Sequence, residues 1–336
     1  MTTLQQSVDL TRSNTLRLPC HVDWYAAPQT LSGLQAVMHE AANRRWPVTL
    51  LGGGSNVLLP PQLHGIAIRP SFQHWWLESC GNDVVAYVGA GVNWHSLVMR
   101  LAERGLWGLE NLALIPGNCG AAPIQNIGAY GVELKDVLLG VQVVGLKSGN
   151  LRWMDRVSCQ FGYRDSIFKH QLADKVVITQ LALRLSRQPA PRLHYGDLAS
   201  RVPASPNPLA VANAVCTIRQ EKLPDPQQLA NAGSFFKNPL VSNAQAARLL
   251  QTYPDMPHFP QPEGLTKLAA GWLIDQCGLK GGREGAFGVH ERQALVIVHF
   301  GGGDRRELLQ FAGRIIQVVL DRFNIELEPE PRLIQA

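Results

Sequence analysis

Residues 47–59 read Pro47-Val48-Thr49-Leu50-Leu51-Gly52-Gly53-Gly54-Ser55-Asn56-Val57-Leu58-Leu59, two apolar runs on either side of a glycine loop. The runs 47–51 and 57–59 predict two short strands, because β-branched and aliphatic residues bounded by glycines favour extended chain. Upstream, residues 31–45 carry apolar side chains at helical spacing and two arginines in the last turn, which predicts a helix. The region is therefore a helix, a strand, a glycine loop and a second strand.

The glycine loop does not fit the common nucleotide-binding signatures. A G-x-G-x-x-G pattern starting at Gly52 requires glycine at position 57, where the chain has Val57, and no G-x-x-x-x-G-K-[ST] occurs. Two interpretations stay open. The N–H groups of Gly52–Asn56 form a nest for an anion, or the glycines only make a tight turn.

Helix and strand signals continue to alternate through the first half. Residues 94–102 predict a helix that ends at Gly105. Strands are predicted at 84–88, 141–146 and 176–185. Between them, residues 112–131 are rich in Gly, Ala and Asn, too apolar for solvent and too broken for a long helix. Such a segment often approaches a ligand with its backbone.

Prolines interrupt the pattern from residue 186 onward and predict a domain boundary near residues 190–208. The second half is typical of an α+β domain. Four helices are predicted: one from Leu209, one that begins after Ser242, one over Thr266–Cys277 and one that begins after Asp304. Gln245 and Glu307 stand at capping-box spacing from Ser242 and Asp304. A strand is predicted over 294–299 and an extended tail over 325–333.

Composition narrows the class of protein. The 336 residues are 46% hydrophobic and 17% charged, which predicts a compact chain of about two domains. The net charge of +5 is scattered, so a nucleic-acid partner is not expected. Six cysteines without metal-ligand spacing predict reduced, mostly buried thiols and no metal site. No apolar run approaches the length of a membrane span and no leader is recognisable, so we expect a cytoplasmic protein.

Three segments contain candidate chemistry. Residues 231–239 and 160–166 place polar and aromatic side chains in predicted loops, although Arg164 could simply pair with Asp165 at the surface. In the tail, the period of two puts Glu326, Glu328 and Glu330 on one face. A solvated edge is the alternative interpretation of these carboxylates.

Together, the motifs resemble one family, the flavin-dependent UDP-N-acetylenolpyruvoylglucosamine reductases. The similarity runs from about residue 14 almost to the end and depends on the order of many short motifs. They are Asn14-Thr15, Gly52–Asn56, Gly108–Leu112, Ile115–Gly117, Pro123–Gly131, Phe161–Ser166, Gly233–Asn238, Ala270–Asp275 and Leu327–Glu330. Two departures are Cys119, where a small aliphatic residue is usual, and residues 281–291.

The resemblance implies an α+β chain with a two-subdomain FAD-binding fold of the vanillyl-alcohol-oxidase (PCMH) type at residues 17–188. A smaller α+β substrate-binding domain follows at 195–336. FAD is expected to bind non-covalently, NADPH to act as cosubstrate, and the protein to be a monomer. The implied FAD contacts are Gly52, Gly53, Gly54, Ser55, Asn56, Ile115, Pro116, Gly117, Pro123, Ile124, Gln125, Asn126, Gly128, Ala129, Tyr130 and Gly131.

The same resemblance assigns catalytic roles. Hydride passes from NADPH to FAD and then to the terminal carbon of an enolpyruvyl ether, leaving charge delocalised into the carboxylate. Arg164 is expected to bind that carboxylate, and Ser234 to donate the final proton. Glu330 acts at the same group and can help only if its pKa is raised. The implied contacts to the uridine and diphosphate are Tyr163, Tyr195 on a mobile loop, Lys222, Asn238, Lys280 and Gln293.

Two rival functions are considered. An FAD oxidase that uses O2 shares the first domain but does not need Ser234, the Tyr195 loop or Glu330. A basic nucleic-acid-binding protein predicts clustered cations and aromatic platforms, which the sequence lacks.

Overall fold

The structure, a computed structural model, describes residues 2–335 and divides them into two compact units. The first unit contains residues 2–9, 21–54 and 62–221, and the second contains residues 10–20, 55–61 and 222–335. Two short segments, 10–20 and 55–61, therefore belong to the second unit although the residues around them belong to the first.

Helices and strands are mixed in both units, as the predicted α+β class requires. The helices are α1 (Leu31–Asn43), α2 (Trp94–Glu103), α3 (Pro208–Lys222), α4 (Asn243–Thr252), α5 (Ala270–Gln276) and α6 (Arg305–Phe323). The strands are β1 (Gln5–Asp9), β2 (His21–Ala26), β3 (Val48–Leu50), β4 (Val57–Leu58), β5 (Gln62–Ile68), β6 (Trp75–Cys80), β7 (Asp83–Gly89), β8 (Gly128–Ala129), β9 (Val132–Glu133), β10 (Leu138–Gly145), β11 (Leu151–Asp155), β12 (Val176–Ser186), β13 (Ala230–Ser234), β14 (Leu240–Ser242), β15 (His258–Gln261), β16 (Leu265–Leu268), β17 (Arg283–Glu284), β18 (Phe287–Val289), β19 (Val296–His299) and β20 (Arg332–Leu333).

The first sheet of the first unit has the strand order β1-β2-β5-β3. β5 runs parallel to both β2 and β3, and α1 connects β2 to β3 along the chain. Thr30 begins α1 by accepting the N–H of Gly33 at 3.1 Å, which satisfies one of the free donors of the first turn. Leu34 and Val37 of the helix share a core with Ile66 of β5. This packing holds β5, which pairs with β3, the strand that precedes the glycine loop.

The second sheet of the first unit is antiparallel, in the order β11-β10-β12-β7-β6. Its inward side chains form one core with α2 and α3, in which Leu97, Leu181 and Val215 are fully buried. The glycine- and alanine-rich segment 112–131 forms short turns that pack against the same core. This segment therefore follows the surface of the sheet with little side-chain bulk.

The second unit contains a four-stranded sheet, β13-β19-β18-β17, a three-stranded sheet, β14-β16-β15, and the parallel pair β4 and β20. Helix α6 begins with the predicted capping box, in which Asp304 and Glu307 each accept the other's backbone N–H at 2.9 Å. Its predicted stripe is also confirmed. Those residues, Leu308, Ala312, Ile315 and Val319, are all buried.

Two expectations differ from the structure. The predicted helix over Thr266–Cys277 is wrong in its first part, because Thr266 to Leu268 belong to strand β16 and the helix begins at Ala270. The division between the units falls after Glu221, whereas the prolines predict a boundary near residues 190–208. Helix α3 explains this second difference, since its buried side chains join the core of the first unit. Within residues 2–335, no helix combines the length and the apolar character needed to span a membrane.

Candidate functional site

In the first unit, the glycine loop after β3 touches the turn at Gly117. A Cβ atom added to Gly53 would lie 2.7 Å from the Cα of Gly117 and 2.8 Å from Oδ1 of Asn118. Asn118 is fixed in turn, because its Nδ2 donates to the carbonyl of Gly91 at 2.6 Å. The two backbones meet without side chains between them. This is the arrangement that lets main-chain N–H groups approach a large ligand.

The segment 123–131 lies against residues 161–166. Asn126 is fully buried, and its Nδ2 donates to the carbonyl of Gly162 at 3.0 Å. Ser166 Oγ donates to the carbonyl of Ile124 at 2.6 Å. Arg164 Nη2 donates to the carbonyl of Gly128 at 2.7 Å. Two motifs that are about 35 residues apart in the sequence thus form one continuous surface.

Arg164 sits at a left-handed backbone position, with φ of 53°. Its guanidinium lies 5.4 Å from the ring centre of Tyr163, and its carbonyl accepts from Lys169 Nζ at 3.2 Å. The neighbouring Asp165 carboxylate contacts His170 Nε2 at 2.8 Å. The arginine is therefore half-buried and held from several sides, which suits a fixed cation better than a mobile surface residue.

Arg219 is a residue that the sequence analysis missed. It lies in the last turn of α3, and its Nε is buried without a hydrogen-bond partner among the described residues. Burial lowers the pKa of the guanidinium, and the nearby charge of Arg164 acts in the same direction, whereas Tyr130 and Cys216 oppose it. A single arginine in a helix has no sequence motif, so only the fold reveals this cation beside the segment 128–131.

In the second unit, Ser234 and Glu330 lie close together. Ser234 ends β13 and pairs with Val296 of β19. The next residue, Phe235, accepts the N–H of Glu330 through its carbonyl at 2.8 Å, and Lys237 N donates to Glu328 O at 2.9 Å. The tail alternates as predicted, with Ile325 and Leu327 buried and Glu326 and Glu328 exposed. Glu330 itself is half-buried at the end of this strand-like tail.

The glycine loop is divided between the units, because Gly52–Gly54 belong to the first and Ser55 and Asn56 to the second. Asn56 O accepts from Arg332 N at 3.0 Å, and Asn56 Nδ2 donates to Glu330 O at 3.4 Å. Asn56 therefore contacts the main chain of Glu330, which links one end of the predicted cofactor loop to a predicted catalytic residue.

Three of the predicted substrate contacts lie in the second unit and already have partners. Asn238 Oδ1 accepts the N–H of Ala270 at 3.0 Å, Lys280 Nζ contacts Asp275 at 2.5 Å, and Gln293 Oε1 accepts the N–H of Leu295 at 3.3 Å. Lys280 is therefore held near α5 despite the divergent sequence that follows it. Lys222 is exposed at the end of α3 in the same unit. Tyr195, in the first unit, is 48% exposed.

These residues fit FAD in the first unit. The contact of Gly53 with Gly117 provides a backbone cradle that a Cβ atom would fill. Arg219 provides a guanidinium whose buried Nε has no hydrogen-bond partner among the described residues, and such a group is suited to an anion. The groups best placed to hold the cofactor are thus main-chain N–H groups and one arginine.

All six cysteines are free thiols, and Cys20, Cys119 and Cys159 are buried, so half of them match the expected burial.

Two known families match different parts of the chain. Residues 22–155 match the family described as an FAD binding domain. Residues 225–334 match the family described as UDP-N-acetylenolpyruvoylglucosamine reductase, C-terminal domain. The predicted flavin-binding fold is confirmed, and FAD is the cofactor, with NADPH as the reductant. The alternative of an O2-using oxidase is not favoured.

Curated relatives carry one name over almost the whole chain. A UDP-N-acetylenolpyruvoylglucosamine reductase from Chromobacterium violaceum is 45% identical over 333 residues, covering 97% of this chain and 98% of the relative. The reductase of that name from Pseudomonas aeruginosa is 45% identical over 335 residues, covering 98% of each. A crystal structure of such a reductase from Thermus caldophilus, 24% identical, covers 100% of both chains with a TM-score of 0.71, which shows a shared fold. The chain belongs to the UDP-N-acetylenolpyruvoylglucosamine reductase family.

Proposed function

We propose that the protein reduces UDP-N-acetylglucosamine enolpyruvate to UDP-N-acetylmuramate, with NADPH as electron source, in the synthesis of peptidoglycan precursors. The observation that carries this proposal is the presence of an FAD-binding domain at 22–155 and a reductase C-terminal domain at 225–334 in one chain. The identity of 45% with named reductases over 97% of the chain supports it.

FAD is held by the backbone of the glycine loop and of the segments 115–117 and 123–131. Gly53 and Gly117 have no side chains of their own where they meet, so N–H groups can face the pyrophosphate closely. Arg219 adds a positive charge near Tyr130. When bound, FAD supplies the hydride chemistry, because it can accept a hydride from NADPH and pass it to the terminal carbon of the enolpyruvyl group.

Arg164 binds the carboxylate of the enolpyruvyl group. Its guanidinium is anchored by the carbonyl of Gly128 at 2.7 Å, and a planar guanidinium can bind a carboxylate through two parallel N–H···O bonds. The hydride transfer leaves negative charge in this carboxylate. A fixed cation therefore stabilises the enediolate more than the ground state.

Ser234 donates the proton that completes the reaction. Its hydroxyl is at the end of β13, after Gly233, whose φ of +70° turns the chain at this point. The enediolate carbon is basic enough to accept a proton from an alcohol, and a hydroxyl is not lost to ionisation at neutral pH. Glu330, held beside this turn through Phe235, assists at the same group when its carboxyl is protonated or shares a proton.

The uridine and diphosphate are held by six polar side chains, with the lysines acting as point charges. They are Tyr163, Tyr195, Lys222, Asn238, Lys280 and Gln293. The protein is expected to act as a monomer in the cytoplasm, where these small substrates meet it without a membrane or nucleic-acid partner. The proposed FAD domain is residues 17–188 and the proposed substrate domain is residues 195–336; the compact units divide the chain later, because the first unit also contains α3 up to Glu221.

The test is an anaerobic stopped-flow experiment on the FAD-loaded protein. NADPH should bleach the flavin absorbance, and UDP-N-acetylglucosamine enolpyruvate should restore it without O2. A flavin that stays reduced until air is admitted would point to an oxidase. A protein that binds no FAD would exclude the proposed function altogether.

A further inference from the structure

Asn111 connects two parts of the first unit through one side chain. It lies in the short 3-10 turn Glu110–Leu112 and is 1% exposed. Its Nδ2 donates to the carbonyl of Tyr130 and to the carbonyl of Arg192, both at 2.8 Å. Its Oδ1 is buried without a partner among the described residues. An amide nitrogen has two donors, and this one uses both to join chain segments about 60 residues apart.

The segment beyond Arg192 carries the exposed tyrosine at position 195. We define residues 192–198 as the Tyr195 loop. The loop contacts the segment 128–131 at two further points. The Tyr195 ring meets the ring of Tyr130 edge-on at 5.7 Å, and a Cβ added to Gly131 would lie 3.0 Å from the His194 ring. The loop is therefore seated directly on the segment proposed to contact FAD.

Tyr130 cannot move independently of its contacts with the Tyr195 loop. Its φ of 47° is in the left-handed region, where the backbone of a bulky residue is under strain, so surrounding contacts must hold it there. The bond from Asn111 to its carbonyl is one of those contacts. Any ligand that fixes the conformation of residues 128–131 also fixes the carbonyl of Tyr130. The side-chain amide of Asn111, which is bonded to that carbonyl, then holds the carbonyl of Arg192 at the start of the loop.

We propose that Asn111 is a positioning residue that couples the cofactor segment 128–131 to the Tyr195 loop. Binding of FAD orders the segment, and Asn111 passes this order to the loop, so that Tyr195 is placed before the nucleotide substrate arrives. The inference rests on the proposed function for the identity of that substrate, whereas the coupling itself involves only FAD and the chain.

Hydrogen exchange of the backbone amides in residues 193–198 measures the coupling without turnover. In the wild-type protein, adding FAD to the apoprotein should slow exchange both in 128–131 and in the loop. In Asn111→Asp, which has nearly the same shape but no amide donor, FAD should still protect 128–131 while the loop stays unprotected. Loss of about tenfold in FAD-dependent loop protection is expected, comparable to one hydrogen bond.

A matched control is Asn14→Asp in the second unit. Asn14 is also buried, and its Nδ2 also donates to backbone carbonyls, those of Leu10 and Leu18 at 3.1 and 3.0 Å. The substitution likewise replaces a buried amide by a carboxylate but does not touch the loop, so FAD should protect residues 193–198 as in the wild type. Asn111→Ser, which keeps one donor, serves if Asn111→Asp does not fold, and should lose part of the coupling.

Kinetics give a second readout. With saturating FAD, Asn111→Asp should raise KM for UDP-N-acetylglucosamine enolpyruvate by about tenfold with little change in kcat, because the loop is disordered and not the reacting groups. Equal loop protection by FAD in the wild type and both Asn111 variants would overturn the proposal. So would a wild-type loop that does not respond to FAD. Failure to bind FAD at all would instead contradict the proposed function.

Discussion

The backbone N–H of Glu330 donates a 2.8 Å hydrogen bond to the carbonyl oxygen of Phe235. Because Phe235 directly follows Ser234, the proposed proton donor and the proposed carboxyl group are fixed to each other by main chain. A bond of this kind does not depend on the identity of either side chain. Substitutions at Ser234 and Glu330 can therefore be interpreted as chemical changes with little disturbance of the surrounding backbone.

Ser234→Ala tests the proton donor. Reduction of the flavin by NADPH should proceed at nearly the normal rate, because it does not use the hydroxyl. Reoxidation by the enolpyruvyl substrate should slow by about 10²–10⁴-fold, the usual contribution of a positioned acid. Single-turnover stopped flow separates the two steps. The control is Ser242→Ala, which removes the cap of α4 and should lower stability by about 1 kcal/mol without changing either rate. A normal second step in Ser234→Ala would remove this serine from its role.

Arg164→Lys tests the planar cation. An ammonium cannot replace both the bond to Gly128 O and a two-pronged contact with a carboxylate. The rate of flavin reoxidation at subsaturating substrate should fall by about ten- to a hundredfold, which corresponds to the loss of one charge-assisted hydrogen bond. Arg44→Lys, at an exposed arginine paired with Glu40, is the matched control and should be neutral. Near-normal rates at position 164 would argue against carboxylate binding there.

Gly53→Ala tests the glycine cradle. The new methyl group would meet backbone at 2.7 Å, a distance that requires the loop to move. The affinity of the apoprotein for FAD, measured by fluorescence titration, should fall by at least about tenfold, equivalent to a displacement costing ~1.4 kcal/mol. Gly313→Ala in α6, where nothing lies within 4 Å, should leave FAD binding intact and stabilise the helix by about 0.5–1 kcal/mol. Equal FAD affinity in the two variants would contradict the proposed close approach.

Arg219→Met tests the buried cation. Burying part of a charged group whose Nε makes no hydrogen bond costs free energy in the apoprotein, so its replacement by an apolar side chain of similar length should raise the melting temperature of the FAD-free form. The same change should reduce the gain in melting temperature on FAD addition, because the cofactor loses a cationic contact. Thermal denaturation with and without FAD provides both numbers. Arg156→Met, at an exposed position after β11, is the control and should change neither number. An unchanged FAD response would exclude Arg219 from the cofactor site.

Glu110→Gln tests a buried carboxyl in the motif 108–112. Burial raises the pKa of Glu110 above its ordinary value of 4.5, although the Gly108 N–H at 2.7 Å and nearby Arg192 act against this. The folded state thus binds the proton more tightly than the unfolded state, and the free energy of unfolding decreases as pH rises from 4.5 through the folded-state pKa.

Glutamine keeps an oxygen for the Gly108 N–H but cannot ionise. The variant should therefore be more stable than the wild type at neutral pH, and the difference should shrink toward pH 4.5. Urea denaturation across this range gives both curves. Glu326→Gln, at an exposed position in the tail, is the control and should follow the wild type. A difference that does not change with pH would mean that ionisation of Glu110 is not responsible.

Local sequence patterns predicted those elements whose cause is local. The capping box at Asp304 and the stripe of α6 both depend on residues within a few turns of each other, and both are confirmed. The strand Leu265–Leu268 was missed because it exists through pairing with β14 and β15 on its two sides. Without those partners, Thr266 continues the apolar spacing of α5 and is typical of a helix.

The residues of the candidate site also differ in whether local sequence could identify them. The resemblance identified Arg164, Ser234 and Glu330, because their motifs are continuous in sequence. Arg219 and Asn111 have roles that depend on tertiary structure. Arg219 matters because no other group among the described residues pairs with its Nε, and Asn111 matters because it joins Tyr130 to Arg192. Neither relationship has a spacing that a motif could record.

The two early segments of the second unit, residues 10–20 and 55–61, have a consequence for biosynthesis. Leu16, Leu18 and Leu58 are synthesised early, yet they are buried in the core of the second unit among residues 232–327. Strand β4 likewise pairs with β20, which is synthesised much later. These early segments must stay unpaired, with apolar side chains in water, until the residues after 222 have been synthesised. A nascent chain is therefore exposed to aggregation and chaperone binding at residues 10–20 and 55–61, and a fragment beginning at residue 222 would lack part of its own core.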